Sequence, residues 1–315
     1  MAAILITILP VFGLIAVGFA SARTGFIGTS ATQGLSLFVF NLALPALLFR
    51  TMILMEPQGA ELIPLWIAYF GGLALVWVAA SIAARFVPAL TGGGGASAAM
   101  SATFGNVVML GLPLTLSHFG ETGAVPASFI VSVHAPLLWL AATLHFETAR
   151  QGKAPSILRL LTQLAREFAR NPIVLALILG SAWRATGAGL HPVIDRTFEL
   201  LAGAGVPAAL VALGLSLAGY SLKGQLNGIA VLIILKMILL PIVIWIFAAK
   251  LVGLPPLWVQ VAVLIAAMPT GANAYLFAQR YETAVPAVSG AIAVGTAFAL
   301  FTSAALLWLM DTGLI

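Results

Sequence analysis

The chain has 315 residues, of which 62% are hydrophobic and only 7% charged, with a mean hydropathy of +1.12. Soluble domains carry roughly a quarter charged residues, so this chain cannot cover itself with a wetted surface and reads as an integral membrane protein. Its net charge of +5 does not point to nucleic acid, because most lysines and arginines sit at the ends of apolar blocks, and the lack of cysteine excludes thiolate chemistry and disulfides.

The opening MAAILITILPVFGLIAVGFA has no basic region before its apolar run and reads as a first span, not a cleaved signal. Long continuous apolar blocks predict an all-α polytopic protein, whereas a membrane barrel would show short alternating segments. At about 20 residues per span, ten transmembrane helices fit. They are predicted at 2–20, 31–54, 61–86, 96–118, 122–148, 172–188, 197–219, 227–250, 256–279 and 283–310. Between the fifth and sixth lies a hydrophilic connector, residues 149–171, within ARQGKAPSILRLLTQLAREFARNP. There Ile157, Leu160, Leu161 and Leu164 recur at helical spacing while Arg159, Arg166 and Arg170 are free to face water, which predicts an amphipathic helix on the membrane surface.

Placing this basic segment in the cytoplasm puts both termini outside. Arg23, Arg85, Lys223 and Arg280 then fall inside, and Glu56, Glu61, Glu121, Asp195, Glu199 and Asp311 outside, as positive-inside topology requires. Arg50, Arg184, Arg196 and Lys250 run against the bias. The two halves, 1–148 and 172–315, also resemble each other. At a shift of 162 residues Pro10 meets Pro172, Gly18 meets Gly180, Thr24-Gly25 meets Thr186-Gly187, and Pro45 meets Pro207. One residue less aligns Glu121-Thr122 with Glu282-Thr283. An odd number of spans per half inverts the second copy in the bilayer, a pattern typical of secondary transporters.

The fourth span, SAAMSATFGNVVMLGLPLTLSHFG, carries Gly105, Asn106, Gly111 and Pro113 in its interior. Its counterpart in the second half is the ninth, AAMPTGANAYLFAQRYET, with Pro269, Thr270, Gly271 and Asn273. Unwound backbone at membrane depth is tolerated only against protein or a water-filled cavity, so a matched pair of interrupted spans points to a binding site. Each break offers free N–H groups with the positive end of a helix dipole behind them, and Asn106 and Asn273 add amide donors. Such a site suits a carboxylate.

The motifs NLALPALLF (41–49), GNVVMLGLPL (105–114), NPIVLALILG (171–180) and MPTGANAYLFAQRY (268–281) resemble those of the auxin efflux carrier family. That family includes plant auxin exporters and bacterial malonate and malate permeases. The resemblance covers the whole chain. It implies two inverted five-helix repeats related to the fold of bile-acid sodium symporters. Spans one, two, six and seven would form a dimerising scaffold, and spans three, four, five, eight, nine and ten a mobile transport domain. It also implies that the broken helices cross at Pro113 and Pro269, with Asn41, Asn106, Thr270, Gly271 and Asn273 near the substrate. The third span departs from the plant pattern in having no acid after Glu61.

Two ionisable residues lie in mid-span. Lys236 is suited to attracting an anion or holding a carbonyl at a helix break, and His134, two residues before Pro136, to titrating during transport. Arg50 reads as an interfacial anchor, and Glu121 and Glu282 as caps or gates after the broken helices. TGGGGAS (91–97) lacks the Lys and Ser/Thr of a phosphate loop, and the four histidines lack metal-ligand spacing, so no cofactor or metal is expected. The expected function is alternating-access transport of a small mono- or dicarboxylate across the bacterial inner membrane, with H+ or Na+ as possible coupling ions. A sodium symporter of the bile-acid type, an intramembrane enzyme and a channel are the alternatives.

Overall fold

The computed structural model describes residues 2–54, 62–91, 93–151, 157–221 and 226–315. Glu56, Glu61 and Lys223, used above for orientation, lie outside them. So do the side chains of Ile157, Arg159, Leu160 and Leu161 in the connector helix. The described residues are helical apart from short turns, and their one β-type contact is an isolated bridge between Gly105 and Thr270.

In chain order, α1 is Ala2–Arg23; α2, Thr29–Phe38, runs through a π-helical turn, Val39–Ala43, into α3, Leu44–Leu54; and α4 is Leu62–Ala83. Next, α5 is Gly95–Thr103, and after a break the chain resumes in a π-helical turn, Val107–Gly111, that leads into α6, Leu112–Gln151. The connector is α7, Ile157–Arg170, followed by α8, Pro172–Ala185, and α9, Pro192–Leu217. Then α10, Leu226–Ile234, continues through the π turn Leu235–Leu239 into α11, Leu240–Trp245, and a second π turn, Ile246–Val252. The chain closes with α12, Pro256–Ala266; α13, Ala272–Tyr281; and α14, Val285–Asp311.

Seven helical runs among the described residues are long and apolar enough to cross a membrane, the first Ile4–Arg23 and the last Val285–Asp311. The segments expected at 96–118 and 256–279 are not whole helices, since each is cut in its interior. The expected junction between 118 and 122 falls at Gly120, whose φ of 63° and ψ of −154° are non-helical and divide α6 into two helices. Leu9, Ile67 and Phe301 are among many large apolar side chains pointing outward, a surface that acyl chains suit and water does not.

Three interior prolines, Pro45, Pro113 and Pro241, each follow a π-helical turn by two residues. A proline ring clashes with the carbonyl one turn earlier, and a widened turn makes room for it. These prolines therefore pass through continuous helix.

α1 lies along α9, and α3 packs on both α8 and α9. The α1–α9 approach is close: a β-carbon on Gly18 would meet the carbonyl of Val211, and one on Gly214 that of Ile15. Small residues at such contacts are how helices pack without a hydrophobic drive in lipid. Elsewhere α4 packs on α5 and α11, α12 on α6 and α11, and α14 on α10 and α13.

Arg50 departs from the interfacial anchor expected of it. Its Nε donates to Asp195 Oδ1 at 2.7 Å and its Nη2 to Oδ2 at 3.4 Å, tying α3 to α9, and Glu121 lies 3.8 Å from Nη1. In the connector, Arg166 and Arg170 are exposed and Leu164 is half-buried. TGGGGAS is in part helix, because Gly95 already begins α5.

Candidate functional site

α5 ends at Thr103, and Phe104 turns the chain into an extended conformation (φ −76°, ψ 99°). α12 ends at Ala266, and by Gly271 the second break is likewise extended (φ −88°, ψ 159°). The two breaks pair antiparallel. Asn106 N–H donates to the Pro269 carbonyl at 2.8 Å, and Gly271 N–H to the Phe104 carbonyl at 2.9 Å, on either side of the Gly105–Thr270 bridge. The Thr270 hydroxyl donates to the Ser101 carbonyl at 2.9 Å. Each interruption thus satisfies one N–H and one carbonyl freed by the other.

Gly271 is required by this approach. A β-carbon on Gly271 would lie 2.9 Å from the Gly105 carbonyl oxygen, and one on Gly105 3.2 Å from Lys236 Nζ. Pro269 sits in the pairing, while Pro113 does not. The expectation of a crossing at Pro113 and Pro269 is corrected here: the fourth-span break lies at Phe104–Asn106, and Pro113 is a buried helical residue beyond the π turn.

Past the crossing, each second half-helix presents its first turn. Asn106 caps the π turn with its side-chain oxygen on Met109 N–H (3.3 Å), and its carbonyl accepts from Leu110 and Gly111. Among the described residues, the N–H groups of Val107, Val108, Ala272 and Asn273 have no acceptor. Helix starts leave such donors over, and the dipole adds partial positive charge. Asn106 and Asn273 are half-buried, and the Asn273 amide makes no hydrogen bond within the described residues. Asn41 is exposed in its π turn, beside α9.

The opposite helix ends are answered by a cation. Lys236, fully buried in the π turn Leu235–Leu239, donates from Nζ to the Ala266 carbonyl at 2.6 Å and so caps the C-terminus of α12. His134 is buried in α6 with its ring 4.9 Å from that of Phe104 and 5.9 Å from that of Tyr69. Near Asn273, the Tyr275 ring meets Tyr220, just beyond α9, edge-on at 5.2 Å, and Gln279 donates to the Tyr275 hydroxyl. Sequence reasoning passed over Tyr69, Ser101, Phe104, Tyr220 and Tyr275. A tyrosine in the middle of so apolar a helix as α4 was the one available signal.

The remaining candidates lie elsewhere. His118 is 3.3 Å from Asp311, His191 accepts from Val193 N–H, and His145 accepts from Trp77. Glu282 is the left-handed C-cap of α13 (φ 53°). No group of three potential metal ligands exists among the described residues.

The chain matches the family model described as membrane transport protein over residues 3–308. It is 28% identical over 309 residues to the "Putative malonate transporter" of Rhizobium meliloti, covering 97% of this chain and 95% of that one. It is also 28% identical over 160 residues to auxin efflux carrier component 8 of Arabidopsis thaliana, covering 49% of this chain and 43% of that one. An uncharacterized transporter of Methanocaldococcus jannaschii is 24% identical over 309 residues, covering 96% of this chain and 97% of that one.

Proposed function

The chain belongs to the membrane transport protein family, that of the auxin efflux carriers, and from this premise we propose that it carries small organic anions across the bilayer by alternating access. It is a transporter and not an intramembrane enzyme. Mono- and dicarboxylates of malonate size are the proposed substrates. One observation carries the reading: four N–H groups without acceptors, those of Val107, Val108, Ala272 and Asn273, open two half-helices that meet at a single hydrogen-bonded crossing. An anion held there is bound directly by backbone donors, since hydrogen bonds to a charged acceptor are about twice as strong as neutral ones.

In this reading Asn106 and Asn273 orient the carboxylate, Thr270, Gly271 and Pro269 hold the crossing, and Asn41 borders the path. Pro113 keeps its helix on course, away from the crossing. Lys236 and His134 sense or couple charge, with H+ or Na+ as the coupling ion. The architecture is read as ten transmembrane helices in two inverted repeats, with the half-helices counted as parts of spans four and nine. α1, α2–α3, α8 and α9 form the scaffold of a homodimer, and the other membrane helices the moving transport domain. The packing of α1 on α9 and of α3 on α8 and α9 supports that grouping. The protein is placed in the bacterial inner membrane with both termini outside.

Asn273→Ala removes an amide donor while keeping the helix. At equal protein levels in proteoliposomes, the variant is expected to lose roughly 10- to 100-fold in apparent affinity for the anion, the range for a hydrogen bond to a charged group. Unchanged uptake would count against the site.

A further inference from the structure

We infer that an internal water site lies on the buried side of the crossing, bounded by Tyr69, His134 and Lys236, and that it holds the Phe104–Gly105 break in place. Tyr69 and His134 are both fully buried. The Tyr69 hydroxyl and both ring nitrogens of His134 have no hydrogen-bond partner among the described residues. Their rings stand 5.9 Å apart at 54°, so the two side chains face each other without bonding directly. Burying three such atoms unpaired is costly, and proteins commonly meet that cost with an ordered water making two to four bonds.

The donor and acceptor inventory fits such a molecule. A tyrosine hydroxyl donates and accepts, and a neutral imidazole does one of each. An ammonium has three donors, of which Lys236 spends one on Ala266. The three side chains come from α4, α6 and the π turn Leu235–Leu239, and two of them, His134 and Lys236, reach consecutive break residues. Phe104 packs its ring on His134 at 4.9 Å, and Gly105 turns its open side to Lys236 Nζ. Among the described residues near this point, Lys236, His134 and Tyr69 are the titratable groups. The water would join three helical elements behind the loop whose other side carries the free N–H groups. Its role is to position that loop.

Tyr69→Phe in the purified full chain tests the site without reference to transport. If the hydroxyl holds a water, the variant unfolds about 2–4 °C lower, the shift for one lost buried hydrogen bond in a chain of this order of size. If the hydroxyl is bare, phenylalanine removes an unpaired polar atom and the midpoint stays or rises, which overturns the inference. A high-resolution cryo-EM map gives the second readout. A solvent peak within hydrogen-bond distance of both Tyr69 Oη and a His134 ring nitrogen is expected, absent in Tyr69→Phe. A map that resolves other buried waters but shows none here overturns the proposal. Neither readout depends on which anion is carried.

Discussion

Lys236→Met is expected to cut anion uptake at least tenfold while leaving the midpoint of thermal unfolding unchanged or higher. The argument turns on two opposed effects at one buried side chain. Lys236 is fully buried and bonds to the neutral carbonyl of Ala266, and among the described residues no acid lies within bonding distance of it. Burying an ion in an apolar interior costs several kcal/mol after relaxation. Methionine has nearly the same length and flexibility and removes that cost, at the expense of leaving the Ala266 carbonyl unpaired, about 1–3 kcal/mol. Stability therefore does not explain the lysine. We propose instead that the lysine serves the field its ammonium would set at the crossing, behind the C-terminus of α12, in a protein proposed to hold an anion nearby. Uptake and unfolding measured on the same preparation separate the readings. A variant that transports normally would remove Lys236 from the mechanism, and one that both unfolds early and fails to transport would make it structural.

Gly271→Ala is expected to lower the unfolding midpoint and anion uptake together. The backbone at Gly271 is extended, a conformation any residue adopts, so no conformational penalty confuses the result. The cost is steric. The new carbon would lie 2.9 Å from the Gly105 carbonyl oxygen and 3.0 Å from the Phe104 ring. Relief requires parting the two breaks, which stretches the Gly271–Phe104 and Asn106–Pro269 hydrogen bonds together. Overpacking of this kind costs about 1–3 kcal/mol. It should appear as a lower unfolding midpoint and as loss of uptake even at temperatures where the variant is folded. Wild-type uptake would mean that the paired breaks do not shape the site.

Both interruptions could be anticipated from the sequence, but not equally well. In the ninth span Pro269, Thr270 and Gly271 are adjacent and all belong to the break, so composition and geometry agree. In the fourth, proline and break are separate. Pro113 is accommodated by the π turn before it, and the helix is cut instead at Phe104–Asn106, where the backbone pairs with Pro269–Gly271 from another part of the chain. Local residue preference carries no information about such a neighbour. Arg50 fails to read for the same cause: its partner Asp195 lies 145 residues away, and alone it looks like any arginine near a helix end. The suggestion that Lys236 could hold a carbonyl at a helix break was within reach, because a mid-span cation needs some partner and broken helices supply carbonyls. Tyr69 was passed over because one hydroxyl hardly changes the hydropathy of α4. Only its depth and its missing partner single it out.

The position of a bound carboxylate is the most direct test of the central claim. A carboxylate first shown to bind the purified protein, malonate being the obvious beginning, should be located by cryo-EM at saturating concentration. The account predicts carboxylate oxygens within about 3.2 Å of the N–H groups that open the Val107–Gly111 turn and α13, with the Asn106 or Asn273 amide alongside. An anion bound elsewhere, with those N–H groups covered by protein or lipid, would contradict it.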